Sequence, residues 1–516
     1  MRISNLFMGC MLLLALASCN RTESTLNVKF PQGNPKDVIP KSDINAFVRE
    51  QLNKTGRFDW KMASDSMAWS ALVQGDSILS VGYQPAGVTD LSKTIDKINI
   101  NDAAWEAARK QVLNIILENE RQNNPAITEK DIVTYYPKKL PVFDVKASHF
   151  STVKALRASG LVRYAEPVGY GRYMQTQDVI SAKATVTASS SLLTFGCDSN
   201  LANTALVAGV DYTNITPGAK QAWNYSYHNI PQAWTQSTGS NVKIMLIDTG
   251  VSPDQDNLGS LFNQGASSGR TIEKLATFPG GTPADVCGHG TKMAGVLAAP
   301  RGVNGSSAGI AYNSSLIVVH AAENVVILSP ESVQGIGDAY VLGGDNTSVK
   351  IISMSMGSLF SFGHVTDGIK YAYNKGKLMF CAAGTTNAAF AGFLGVVYPA
   401  YMAEVNAVTG VKDNLTSPCV DCHSGREVAF TIVMEKSTTG INPLTTAATG
   451  NAPSTVGGSS VATASCAAIA ALVWSKYPSY PRDSIVARLQ RAGSNSQNKN
   501  GQLGWGVVDA QKAVGN

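Results

Sequence analysis

The sequence predicts an α/β chain in which a large, doubly wound, mostly parallel sheet follows a smaller α+β module. Apolar runs of the buried-strand type stand at residues 242–247, 316–320, 351–356 and 378–382, separated by segments long enough for crossover helices. Residues 58–167 instead alternate short strand and helix patterns. Of the 516 residues, 44% are hydrophobic and only 15% charged, which excludes a charge-rich disordered chain and a coiled coil. The net charge of +5 is spread without a Lys/Arg-rich block, so there is no electrostatic case for a nucleic-acid partner.

The chain opens with a secretion signal: Arg2, an apolar stretch over residues 6–17, and then Leu16-Ala17-Ser18-Cys19. The stretch is shorter than the roughly 20 apolar residues that span a bilayer. A cysteine after two small residues resembles the lipobox of bacterial lipoproteins. That resemblance implies a signal over residues 1–18, acylation of Cys19, and an extracytoplasmic protein anchored by lipid at the periplasmic or cell-surface face of a membrane. The next most apolar run, 461–474, is alanine-rich and suits a buried helix better than a span.

Residues 19–57 are polar with little periodicity and read as a tether. From 58 to 168 the order is a strand at 77–83, a helix with Ala104, Ala107, Ala108, Val112, Ile115 and Ile116 on one face, and strands at 131–136 and 140–147. A short helix begun by Ser148 or Ser151 and a last strand at 161–165 complete it. This β-α-β-β-α-β order is that of a ferredoxin-like split module. Residues 169–205 turn Ser/Thr/Ala-rich and read as a linker, leaving 206–516 for the large domain.

Of eight cysteines, Cys10 leaves with the signal and Cys19 carries lipid. Cys381 and Cys466 lie in apolar runs as buried free thiols, so Cys197, Cys287, Cys419 and Cys422 are left to pair in any of three ways. Cys419-Val420-Asp421-Cys422-His423 has the spacing of a c-type haem attachment, but it lies in a Ser/Pro/Asp/Gly-rich loop, where a disulfide is the better reading.

Three motifs carry chemistry. Asp248, in Ile247-Asp248-Thr249-Gly250, stands where the first strand of the large domain ends, at the carboxyl edge of the expected sheet. His289 lies in Cys287-Gly288-His289-Gly290-Thr291, ahead of a small-residue helix, while His149, His228, His320, His364 and His423 lack comparable surroundings. Gly457-Gly458-Ser459-Ser460-Val461-Ala462 delivers two serines to the start of an alanine-rich helix. Asp-Thr-Gly, Gly-His-Gly-Thr and Gly-Ser-Ser-x-Ala in this order resemble the subtilisin-like serine peptidases over roughly residues 225–515. The closing Gly504-Trp505-Gly506-Val507-Val508-Asp509-Ala510 agrees with that family's end-of-domain segment.

The resemblance implies a serine endopeptidase acting on protein or peptide substrates, with Ser460 as nucleophile, His289 as general base and acid, and Asp248 as orienter. It places substrate along Ser355, Met356 and Gly357, with Gly384 nearby. The Ser460 N–H at the helix N-terminus becomes one oxyanion donor. Thr385 stands where the family usually carries an asparagine, with Asn387 as a substitute donor. The family commonly has proline where this chain has Ala464. The 58–168 module resembles the family's propeptide, an intramolecular inhibitor that also templates the slow-folding parallel sheet. No cofactor is expected for the chemistry, and no ligand is assigned for the structural calcium common in the family. The rival readings are a subtilase scaffold that binds extended peptides without turnover, discriminated by a fluorophosphonate probe, and a cytochrome, discriminated by a haem band.

Overall fold

The structure, a computed structural model, describes residues 37–122, 124–174, 196–386 and 395–515. The signal with Cys19, the middle of the linker and Asn387 lie outside the described residues. Among the described residues fifteen strands are numbered in chain order. The first four, β1 (Ile78–Tyr83), β2 (Val133–Tyr135), β3 (Val142–Lys146) and β4 (Val162–Pro167), form an antiparallel sheet in the order β2-β3-β1-β4. Helices Ala103–Glu120 and Phe150–Ala158 supply its crossovers, so the ferredoxin-like order expected from the sequence is present.

Two details differ from the sequence reading. The long helix buries Trp105, Ala108, Val112, Ile116 and Leu117 and leaves Ala104 and Ala107 exposed, because Trp105 fixes a stripe offset from the alanines. The expected strand at 131–136 begins as a helical turn, Glu129–Ile132, where the Asp131 carboxylate accepts the Thr128 N–H at 2.8 Å. The stretch read as a tether contains a helix as well, Lys41–Thr55, with Ile44, Val48 and Leu52 buried one turn apart. Its apolar positions are too sparse among polar residues to stand out in sequence.

After the small hairpin β5 (Tyr212–Ile215) and β6 (Ala219–Ala222) comes the main sheet. It comprises β7 (Lys243–Asp248), β8 (Ile272–Ala276), β9 (Ser315–His320), β10 (Val349–Met354), β11 (Leu378–Ala382), β12 (Asn406–Lys412) and β13 (Val428–Glu435), in the order β13-β12-β11-β10-β7-β9-β8. All six pairings are parallel. The order reverses between β7 and β10, which opens a crevice at their carboxyl ends. The hairpin of β14 (Leu444–Thr446) and β15 (Pro453–Thr455) precedes the helix Gly458–Lys476.

That helix is long and apolar enough by composition to cross a membrane, yet 83% of its most apolar 18-residue window is buried within the molecule. Val461, Ile469, Leu472 and Val473 are fully buried among the side chains of β10, β11, β12 and β13. At about 1.5–3 kcal/mol for each large apolar side chain, this burial fixes the helix and hence the position of its first turn. The small module packs its sheet on the helices Pro330–Asp345 and Gly363–Asn374, and one apolar cluster runs through the contact from Val81 and Phe143 to Ile336, Val365 and Ile369. Arg163 and Asp367 join the two parts by a buried ion pair at 2.6 Å.

Candidate active site

The contacts at the candidate site fall in two groups, Asp248 with His289, and Ser355, Gly384 and Thr385 with the Ser459-Ser460 pair. Asp248 ends β7 and is fully buried, and its Oδ1 accepts from His289 Nδ1 at 2.7 Å and from the Thr249 N–H at 2.8 Å. Its Oδ2 has no hydrogen-bond partner among the described residues. Both contacts at Oδ1 require an acceptor, so Nδ1 is the protonated ring nitrogen and Nε2 is left to take a proton.

His289 opens the helix His289–Ala298, with Gly288 before it at φ +81°. A Cβ on Gly288 would lie 2.4 Å from the Asp198 carbonyl oxygen, so the turn requires glycine twice over. The loop is fastened by a carboxylate that sequence reasoning did not single out. Asp285 Oδ1 accepts from Thr249 Oγ1 at 2.8 Å and from the Gly288 N–H at 2.8 Å, while Oδ2 accepts from the Thr291 N–H at 2.8 Å. Thr249 Oγ1 in turn accepts the Gly290 N–H at 2.9 Å. The readable signal was an acid at the mouth of a helix, where its N–H groups have no intrahelical partner.

The cysteines left open by sequence pair as Cys197–Cys287 and Cys419–Cys422, while Cys381 and Cys466 are buried free thiols. The first bridge ties the end of the linker to the residue before Gly288. Beside it Lys292 Nζ, on the histidine helix, meets the Asp198 carboxylate at 2.6 and 2.7 Å. Cys197 and Asp198, within the stretch read as linker, are thus held to the histidine turn of the large domain. The second bridge occupies both thiols that a haem attachment would use, and His423 makes protein contacts, with Gly395 O at 2.6 Å and Thr386 Oγ1 at 2.7 Å. Burial pushes its imidazole down to about 4, so the ring is neutral at physiological pH.

Ser460 lies in the first turn of the helix Gly458–Lys476, where backbone N–H groups are free to face a developing negative charge. Its carbonyl accepts from Ser355 Oγ at 2.9 Å, and its own Oγ lies 3.5 Å from the Ser355 carbonyl oxygen. Ser459 points inward and is buried. Its Oγ accepts the Gly384 N–H at 3.2 Å and meets Thr385 Oγ1 at 2.8 Å, while its N–H donates to Thr385 Oγ1 at 2.9 Å. The Thr385 hydroxyl is thus bound to Ser459, and its proton is free for an incoming oxyanion only when Ser459 is the donor of that pair. Gly384 sits at φ +129°, with His423 where a Cβ would go.

Beyond Ser355, the Gly357 N–H donates to Val325 O at 3.0 Å, and the Gly357 carbonyl accepts from the Ile327 N–H at 2.9 Å. Ser358 exchanges both of its backbone bonds with Tyr398, at 2.9 and 3.2 Å. Among the described residues no three or more of His, Cys, Asp and Glu are grouped as a metal site.

Comparison with known proteins bears on the family of the chain. The profile described as the subtilase family matches residues 239–506. The thermostable alkaline protease of Halalkalibacterium halodurans is 31% identical over 307 residues, covering 58% of this chain and 75% of that protein. Thermitase of Thermoactinomyces vulgaris is 30% identical over 187 residues, covering 36% of this chain and 60% of that one. Among solved structures, MycP1 from the ESX-1 type VII secretion system aligns over 59% of this chain and 89% of its own, at 19% identity and a TM-score of 0.47. By the family profile over residues 239–506 and the 31% identity to the thermostable alkaline protease, the chain belongs to the subtilase family of serine peptidases.

Proposed function

We propose that this subtilase is a lipid-anchored, extracytoplasmic serine endopeptidase made as a proenzyme, with Ser460, His289 and Asp248 as its triad. The observation that carries the reading is the buried 2.7 Å contact between His289 Nδ1 and Asp248 Oδ1, beside a helix whose first turn bears Ser460. The Ser460 Oγ attacks the scissile carbonyl carbon as its proton passes to His289 Nε2, and Asp248 stabilises the imidazolium that forms. The oxyanion is met by the Ser460 N–H and, when Ser459 donates to it, by Thr385. Collapse breaks the C–N bond, the leaving amine takes the proton from His289, and water then hydrolyses the acyl-enzyme by the same steps.

Residues 58–168 act as an intramolecular inhibitor in this reading. Its support is the apolar contact with the two helices below and, just past its last residue, the approach of Gly171 to Leu328 and Phe360. Cys19 carries the lipid, as its Leu-Ala-Ser-Cys context implies. A specific observation favours a second reading, a peptide-binding scaffold of weak or no turnover: the Thr385 hydroxyl is engaged by Ser459 at 2.8 and 2.9 Å. A fluorophosphonate probe decides between them, because covalent labelling of Ser460 requires an activated hydroxyl. Labelling that vanishes in Ser460→Ala supports the peptidase, whereas an unlabelled parent supports the scaffold.

A further inference from the structure

The Cys419-Val420-Asp421-Cys422-His423 motif serves neither haem nor the triad, yet it lies against residues that touch the serine pair. The pairing of β11 with β12 ends at Ala383, whose N–H donates to Val408 O at 2.9 Å. The next three residues pair instead with the turn that carries the motif. The His423 N–H donates to Gly384 O at 3.0 Å and the Thr386 N–H to Asp421 O at 3.0 Å, an antiparallel bridge centred on Thr385 and Cys422. On its other side the same segment meets Ser459, through the Gly384 N–H and the Thr385 hydroxyl. Gly384 and Thr385 are thus held between the helix that bears Ser460 and the turn that bears His423.

His423 is fully buried. Its Nδ1 is 2.6 Å from Gly395 O, a carbonyl that can only accept, so Nδ1 carries the ring proton. Burial keeps the ring neutral, which leaves Nε2 to accept from Thr386 Oγ1 at 2.7 Å. Between these two contacts the ring lies against Gly384, where a Cβ would stand 2.5 Å from Nδ1 and 2.8 Å from Cγ. With Gly384 at φ +129°, the imidazole fills the space that a side chain there would take. The backbone that carries the ring is fastened as well. The His423 carbonyl accepts from Thr409 Oγ1 of β12, the Cys419–Cys422 bridge closes the turn ahead of it, and the Cys419 N–H donates to Gly410 O at 3.1 Å.

We propose that His423 is a positioning residue of the active site, whose imidazole, set against Gly384 and Thr386, fixes the segment that presents the Thr385 hydroxyl to the oxyanion. The proposal rests on the serine-peptidase reading and adds a residue to it. Thr385 has a single torsion between its backbone and its hydroxyl, so the aim of that hydroxyl follows the placing of the backbone beneath it. A misplacement of about 1 Å at a reacting centre can cost on the order of 10²-fold in rate.

Fluorophosphonate labelling of Ser460 in the full chain tests this, read as the limiting rate of labelling and the half-saturating probe concentration. In that reaction the Ser460 Oγ bonds to phosphorus, its proton passes to His289, fluoride leaves, and the phosphonyl oxygen takes the oxyanion's place. His423→Ala should lower the limiting rate about tenfold and change the half-saturating concentration by less than about twofold, the pattern of an interaction made in the transition state. Thr386→Val removes the hydroxyl that meets Nε2 and should lower the rate about fivefold, whereas Thr386→Ser, which restores it, should recover most of that loss. In a Thr385→Val background His423→Ala should cost less than about twofold more, because both changes act on one hydroxyl. A limiting rate in His423→Ala or Thr386→Val within about twofold of the parent overturns the proposal. So do a Thr386→Ser rate as low as that of Thr386→Val, and losses from His423→Ala and Thr385→Val that multiply. If His423→Ala does not fold, the two Thr386 variants decide. A parent that takes no label defeats the peptidase reading and the proposal with it, whereas a labelled parent with unaltered variants overturns the proposal alone.

Discussion

The two adjacent serines differ in what their hydroxyls meet. Ser459 is locked against Gly384 and Thr385, whereas Ser460 faces the Ser355 carbonyl at the opening of the helix. Ser460→Ala should therefore abolish hydrolysis of a peptide substrate while Ser459→Ala retains most of it, and full activity in Ser460→Ala would defeat the assignment. Thr385→Val removes a hydroxyl at nearly constant shape. If that hydroxyl serves the oxyanion, kcat should drop about 10²-fold with little change in KM, and unchanged kinetics would put the second donor elsewhere. At this scale the sequence was informative where glycines frame a residue, as at His289, and where a helix start presents serines. Asp285 stands ahead of a helix start, but an acid there is an ordinary loop residue until its partners are known. Its role comes from Thr249, Gly288 and Thr291 converging on it after the chain has folded.

Strands were legible in proportion to their burial on both faces. β11 falls on residues 378–382 as read, because Leu378, Met379, Phe380 and Cys381 form an unbroken apolar run. β8, at the sheet edge, carries Glu273 and Lys274 and gave no such signal. β4 shows how one strand couples the small module to pH. Burial, with Asp59 nearby, pushes the Glu166 carboxyl up from its ordinary 4.5 to about 8, although the Gly363 N–H at 2.8 Å and Lys61 favour its charged form. Asp144 of β3, buried and bonded to Gln334, is raised too. A carboxyl whose folded value lies above its unfolded one stabilises fully at low pH and loses that contribution as pH rises. Burial holds His228 and His423 down to about 4, which opposes this up to the ordinary histidine value of 6.5, so the thermal midpoint of uncleaved Ser460→Ala protein should fall between about pH 6.5 and pH 8, and Glu166→Gln should flatten the fall. A midpoint that rises over that range would show the sign to be wrong.

For the whole molecule, the proposed proenzyme reading predicts where the chain is cut. The small module ends beside Leu328 and Phe360, and the chain is bound again at Gly196 and Cys197, so cutting is expected between residues 171 and 194. Ser460→Ala should accumulate the uncut chain, and a mature N-terminus found inside residues 60–160 would contradict this order. Cys19→Ser should release the protein from membranes or block signal removal, and unchanged membrane association would argue against acylation there. The Cys197–Cys287 bridge also governs how the protein has to be produced. It closes a loop with a sequence separation of 90. A loop of that size is worth on the order of 4 kcal/mol on the chain-entropy account. Export to an oxidising compartment supplies it, whereas synthesis in a reducing cytosol or storage with dithiothreitol leaves both sulfurs as thiols. The stretch beside the histidine turn would then be held by the Asp198–Lys292 ion pair and by the Asp198 N–H bonded to Cys287 O at 3.0 Å. A preparation made that way would carry a slacker histidine turn than oxidised protein, and its specific activity should be compared only with oxidised material.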